Sequence, residues 1–249
     1  MELQGQRALV TGATSGIGRA VAEKMTAAGA TVITTGRRGL AGTQHVVADL
    51  ADLDDVRRLA EEVGEVDVLV NNAGIFPFGP TLEQDVETYE QVFDVNVRGP
   101  YFLTAALLPK MIAKGGGSIV NISSVTARTG TPIMSVYGAS KAALDSLTLS
   151  WAVEFGAHGI RVNSVAPGLT RTEKVEENLG DAIEHIVAPT PARPRRAPGG
   201  DRGGRAVPGL AAVELPHRVD RDGGRGRHRD LTWSFIANLC RNDPTRARS

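Results

Sequence analysis

Residues 7–18 read Arg-Ala-Leu-Val-Thr-Gly-Ala-Thr-Ser-Gly-Ile-Gly, and the fold follows from how that stretch divides. Arg7–Thr11 is a short apolar run that stops at a glycine cluster, the pattern of a buried strand. From Ile17 onward apolar residues recur at helical spacing (Ile17, Val21, Met25, Ala28), and Gly29 ends that periodicity. The order is therefore strand, glycine turn, helix. A strand without polar alternation is covered on both faces, which points to a parallel sheet between helices.

Outward from this unit the alternation continues. Ala30–Thr35, His45–Ala48, Val66–Val70, Ser118–Ile122 and Ile160–Ala166 read as strands. Leu53–Val63, a long stretch around Tyr89–Ile112 and Ser135–Ala157 read as helices. Strands and helices in this order form an α/β fold, a doubly wound parallel sheet with right-handed crossovers. Residues 1–192 are expected to form one such domain.

Composition agrees. At 249 residues and 41% hydrophobic, the chain has material for one real core, which excludes wholesale disorder. The single cysteine, Cys240, excludes an internal disulfide framework. His45, His158, His185, His217 and His228 show no ligand spacing, so no metal is assigned. The chain opens Met-Glu-Leu-Gln-Gly-Gln-Arg without a signal-peptide core, and no run approaches the roughly 18 apolar residues of a membrane span. A cytoplasmic protein with no membrane partner is expected.

The glycine turn suggests a ligand. Gly12 permits a tight turn off the strand, Gly16 lets backbone approach a pyrophosphate, and Gly18 lets helix pack on sheet. Thr14, Ser15 and Ile17 complete a turn whose helix N-terminus favours an anion. Between a strand and a helix, the turn reads as a dinucleotide site; the competing reading is an ordinary Gly-rich loop. The end of the next strand separates NAD from NADP, because a carboxylate there binds a ribose 2′-OH and repels a 2′-phosphate. Here Thr35-Gly-Arg-Arg38 offers no carboxylate, so NADP(H) is favoured over NAD(H), with Arg37 as the main contact. The competing reading is a solvated Arg37–Arg38 turn.

Three polar residues then fall in apolar surroundings. Ser124 follows the strand Ser118–Ile122, Tyr137 lies 13 positions later, and Lys141 four beyond that. On a helix, Tyr137 and Lys141 share a face. An ammonium near a phenol stabilises phenolate and would lower its pKa from about 10, tuning Tyr137 for proton exchange with a carbonyl oxygen. On spacing alone, a solvated helix face is the preferred reading of the pair.

The combination decides. Thr11–Gly18, Asn71-Asn-Ala-Gly74, Asn96, Ser124, Tyr137-Gly-Ala-Ser-Lys141 and Pro167-Gly168 together resemble the short-chain dehydrogenase/reductase family, in particular its 3-oxoacyl-ACP reductase-like, ketoreductase-like members. The likeness runs from Leu3 to about Ala192 and implies a Rossmann fold. It implies an NAD(P)H-dependent oxidoreductase that interconverts a ketone and a secondary alcohol. Tyr137 would be the general acid/base, and Lys141 would lower its pKa and hold the nicotinamide ribose. Ser124 would bond the substrate oxygen, and Asn96 would hold a water linking Lys141 to solvent. The resemblance also places Asp49 and Leu50 by the adenine and Asn72, Ala73 and Gly74 along the adenosine. Pro167, Gly168 and Thr172 would orient the carboxamide. Phe76, Phe78, Val125, Met134 and Leu169 flank these motifs and are candidates for an apolar substrate pocket.

The C-terminus departs from that pattern. Residues 193–249 hold 13 Arg, no Lys and 6 acidic residues, a balance of +7, against −7 for residues 1–192. Arg193–Arg205 is Arg-, Gly- and Pro-rich, with neither helical nor strand period, where the family would continue with a helix and a last strand. A one-frame displacement of plausible codons for Gly199–Arg205 spells Pro-Glu-Glu-Ile-Ala-Ala-Ala-Val. The same displacement of Asp220–Arg227 spells Thr-Gly-Thr-Val-Val-Val-Asp-Gly. Both are family-like blocks, so a frameshift origin is expected for residues 193–249, with an irregular structure lacking the last strand. Homo-oligomers are expected for the family, but this tail weakens that expectation. The alternatives are a dinucleotide-binding module impaired by the lost elements and, ranking below it, an Arg-rich arm for nucleic acid. The expected partner is a small carbonyl or alcohol substrate of apolar character.

Overall fold

The computed structural model describes residues 2–40, 44–170 and 172–179. The sequence-derived boundary at residue 192, the tail after it, and the assembly and nucleic-acid expectations tied to that tail lie outside the described residues.

Six parallel strands form one sheet in the order β3-β2-β1-β4-β5-β6. They are β1 (Arg7–Thr11), β2 (Thr31–Gly36), β3 (Gln44–Val47), β4 (Val68–Asn71), β5 (Gly117–Ile122) and β6 (Ile160–Val165). Strand order reverses between β1 and β4, the point where open α/β sheets bind ligands beyond their carboxyl ends. The register pairs Leu9 with Ile33 on one side and with Leu69 on the other. This is the doubly wound Rossmann-like sheet read from the sequence.

Helices cover both faces. On one, α1 (Gly16–Ala27) sets Val21 and Met25 against Ala8, Val10, Val68 and Val70. On the other, α2 (Leu53–Val63), α4 (Gly99–Ala113) and α5 (Ser135–Phe155) pack Leu59, Leu107 and Trp151 against Leu9, Leu69 and Ile119. These side chains are 5% exposed or less, so the sheet is dry on both faces. A buried polar chain crosses the second layer. Asn71 donates to Thr104 and Asn121, Asn121 donates to Thr148, and Thr148 donates to the Leu144 carbonyl. It ties β4 and β5 to α4 and α5 directly below the carboxyl ends of the strands.

Most element ends shift by one or two residues from the sequence reading, and two differences have a definite physical reason. The strand expected from Val66 begins at Val68, because Asp67 turns its carboxylate back onto the Arg7 N–H at 2.7 Å. The single helix expected around Tyr89–Ile112 is α3 (Val86–Phe93) and α4, joined by a π-helical turn over Asp94–Arg98. Asn96 sits on that turn, completely buried, and clasps the backbone of Ile75 with both ends of its amide. One extra residue inside a helix costs regular bonding, and such bulges recur at functional sites. A last short helix, α6 (Glu173–Leu179), is joined to α1 by the Arg19–Glu173 ion pair at 2.6 Å.

Candidate active site

The glycine turn and α1 form one wall. Gly12 has φ +65°, and a Cβ there would stand 2.7 Å from the Cα of Ala73. At Gly18 a Cβ would come within 2.4 Å of the Gly12 oxygen, so helix and turn touch only because side chains are missing. Asn72 locks the opposite side, donating to the carbonyls of Thr11 (2.8 Å) and Gly12 (3.1 Å). Both its amide hydrogens are thereby committed, so Asn72 shapes the groove and has none left for a nucleoside.

The start of α1 is what an anion needs. Asp52 and Asp85 cap α2 and α3 with their carboxylates, whereas Ser15 makes no side-chain cap and the first turn of α1 carries no acid. Its leading N–H groups lack a side-chain partner and face positive-end outward. Thr172 lies beside Gly16, 3.3 Å from where a Cβ would be, which brings the far segment to the same wall. Thr14 and Ser15 are half-buried, as is Ile17, which packs on the core beside α1.

Two other stretches continue the wall. Gly36 ends β2 against Thr14, and Arg37 and Arg38 follow it exposed. Asp49 is half-buried beyond β3, where one carboxylate oxygen accepts from the Ala51 N–H, while Leu50 is buried beside it. These residues fit a dinucleotide: an unsatisfied helix start and a cradle that Cβ atoms would fill.

The reactive groups converge at the other end. Ser124 follows β5 and opens a 3-10 turn, Val125–Ala127. Tyr137 and Lys141 occupy the first turns of α5, and Ser124 lies close enough to the Tyr137 hydroxyl to hold its pKa down. Thr126 donates to Ser124 Oγ twice, from its amide at 3.2 Å and its hydroxyl at 2.9 Å. With those lone pairs occupied, the Ser124 hydrogen is the one left to give. Lys141 is 3% exposed and donates to the Ile122 carbonyl at 2.8 Å. Gly74 makes room, since its Cβ would stand 3.3 Å from the Lys141 ammonium and 3.2 Å from Asn96 Oδ1.

Burial pushes the Tyr137 phenol up, and Ser124 pulls only part of that back. The Lys141 ammonium is bonded to the Ile122 carbonyl and lies 5.9 Å from the Tyr137 ring centre. Burial also brings Lys141 down to about 8, opposed by the charge of Asp145. Asn96 donates to Ile75 O at 2.9 Å and Ser140 Oγ at 3.0 Å, which leaves only acceptor capacity at its amide for a water.

Two of the apolar candidates stand by Tyr137. Phe76 packs edge-on at 6.1 Å between ring centres, with Phe78 behind it. Val125 and Met134 are half-buried and Leu169 is 43% exposed, so these five sit outside the fully buried core. Pro167 is held by its carbonyl, which accepts from the Val125 N–H at 3.1 Å, while Gly168 is exposed. Sequence reasoning missed Thr126, which bonds Ser124, and Asp145, whose charge acts on Lys141, neither of them in a quoted motif.

Comparison with known proteins places these features. The family model described as short chain dehydrogenase matches residues 6–182. The L-rhamnose 1-dehydrogenase (NAD(P)(+)) of Sphingomonas sp. (strain SKA58) is 38% identical over 210 residues, covering 76% of this chain and 83% of that protein. A solved short chain dehydrogenase/reductase family protein shares 55% identity at a TM-score of 0.71, over 73% of this chain and 82% of that one. A structure assigned as an NAD(P) dependent gluconate 5-dehydrogenase of Beutenbergia cavernae, with NADP bound at low occupancy, shares 37% identity. Its TM-score is 0.71 over 75% of this chain and 82% of its own.

Proposed function

The chain belongs to the short chain dehydrogenase family, and on that premise we propose that it interconverts a ketone and a secondary alcohol, with Tyr137 as the proton-transfer group and NADP(H) as cofactor. The observation that carries this reading is the meeting of Ser124 and Tyr137, with Thr126 satisfying the serine oxygen from behind and a buried Lys141 one helical turn away. A nicotinamide supplies hydride to the carbonyl carbon or removes it from the carbinol.

The chain's own groups do the rest. In reduction Tyr137 gives its phenolic proton to the carbonyl oxygen, and its raised pKa keeps that proton in place at neutral pH. Ser124, its oxygen already satisfied by Thr126, donates to the same carbonyl oxygen and stabilises the charge that builds there. Lys141 then stabilises the phenolate left behind, and proton return runs past Asn96, whose amide oxygen faces the same space. In oxidation the same groups run in reverse. Arg37, exposed after β2 with no carboxylate from Thr35 to Arg38, supports NADP(H), as does the NADP in the related structure.

Phe76, Phe78, Val125, Met134 and Leu169 favour a substrate with an apolar body, while the sugar-acting relatives make polyols a second class for the assay. The test is the absorbance of NADPH and NADH with a panel of ketones, β-keto esters and ketoses, for the full chain and its Tyr137→Phe variant. Turnover lost in that variant supports the reading. Cofactor binding without turnover against any carbonyl identifies instead a dinucleotide-binding module that has lost its activity.

A further inference from the structure

We propose that Asp145 is a positioning residue for the reaction proposed above, resting on that reading: its carboxylate counterbalances the buried Lys141 ammonium and holds the Ser124 turn and β6 against α5.

Tyr137, Lys141 and Asp145 lie four residues apart along α5, so they form one stripe. The stripe begins at the reacting phenol and passes inward to an ammonium that is 3% exposed. An ammonium so far from water keeps its proton only if a negative charge stands near it. Asp145 is the ionised group acting on Lys141 among the described residues, and it opposes the effect of burial. The other groups facing Lys141 are neutral: the Ile122 carbonyl, the Asn96 amide and the Tyr137 ring.

The carboxylate is also held from two other elements. Ser164 of β6 donates to its Oδ1. Arg128 places its Nε 3.4 Å from Oδ2, an ionic contact longer than a hydrogen bond, with the Asp145 side chain 16% exposed. Arg128 closes the turn that Ser124 opens, and β6 leads into Pro167, which accepts from Val125. One side chain therefore ties the proton-donating helix, the turn carrying Ser124 and the strand feeding the Pro167 segment. A surface role does not require three such ties.

The test reads Lys141 itself. The chain has only five lysines, so a protein labelled with [13Cε]lysine gives a resolvable titration, with Lys141 assigned by its loss in Lys141→Met. In the unmodified protein its midpoint is expected near 8. In Asp145→Asn the midpoint falls by roughly one pH unit, and Asp145→Glu restores most of it. The high-pH limb of kcat/KM for ketone reduction moves down with it. Should the Asn variant not fold, as judged by circular dichroism, Asp145→Ser serves with the same expectation.

An Lys141 midpoint unchanged in the folded Asn or Ser variant overturns the assignment of Asp145. Absence of turnover in the unmodified protein overturns the oxidoreductase reading, while the titration still judges Asp145 by itself.

Discussion

Thr126 donates to Ser124 through both its amide and its hydroxyl, at 3.2 and 2.9 Å, so the serine that faces Tyr137 has its oxygen satisfied from behind. The orientation of the Ser124 hydrogen is then set by the protein before any substrate arrives. Replacing Thr126 by Val keeps the shape and the amide donor and removes the hydroxyl donor. One neutral hydrogen bond is worth about 1 kcal/mol, so kcat/KM should fall roughly fivefold while the melting temperature holds. Ser124→Ala removes the donor to the developing oxyanion and should cost about 100-fold or more. Steady-state kinetics on the two variants checks the order. A Thr126→Val variant as slow as Ser124→Ala would mean that the threonine touches substrate itself.

Arg37 makes a prediction about the cofactor alone. It stands exposed at the end of β2, where a 2′-phosphate would meet a guanidinium and no carboxylate competes. A charge-assisted contact of about 1.5–3 kcal/mol corresponds to a roughly 10- to 100-fold rise in the NADPH dissociation constant for Arg37→Ser. NADH binding should barely change. Fluorescence titration of both cofactors measures it, and an equal loss for both would place Arg37 away from the ribose.

Much of this was legible in the sequence. Apolar strands broken by a glycine turn announce a parallel sheet, because neither face has to alternate with polar residues. Leu53–Val63 matches α2 residue for residue, since Asp52 caps it and its apolar spacing is strong. The π-turn at Asp94–Arg98 was not legible. Its cause is Asn96 reaching 21 residues back to Ile75, a contact that local periodicity cannot carry. The burial of Tyr137 was not legible for a related reason. Spacing shows that Lys141 is near, but not that its ammonium is bonded to Ile122 or that burial dominates. Asp145 and Thr126 escaped because their partners come from other elements.

Lys141 couples stability to pH with a definite sign. Its folded pKa is lowered from 10.5 to about 8, so between those values the unfolded chain holds more protons than the native one. Stability from this group therefore rises with pH across that window, and its burial cost is fully felt below about pH 8. Lys141→Met removes the dependence. The melting temperature of the unmodified protein should gain on that of the variant as pH rises from 7.5 to 10, and a constant gap would show that Lys141 is not buried charged. Activity moves oppositely. Ketone reduction needs Lys141 protonated and should decline above about pH 8.

Ile133 carries the last prediction. Its φ of +58° places a β-branched residue in the left-handed region, the one non-glycine residue there among those described. That conformation crowds Cβ against the backbone and costs about 1–2 kcal/mol. The side chain is 51% exposed, so burial does not repay the strain. What holds it is the backbone: its carbonyl accepts from the Gly79 N–H at 2.9 Å, pinning the loop before α5 to the loop of Phe76 and Phe78. Asparagine tolerates this region and keeps that bond, so Ile133→Asn should stabilise by about 1 kcal/mol, a rise of roughly 2–4 °C in Tm. Calorimetry measures it. A fall in Tm would mean that the isoleucine side chain itself holds the two loops together over Tyr137, and the strain would then be a cost of closing the substrate side of the site.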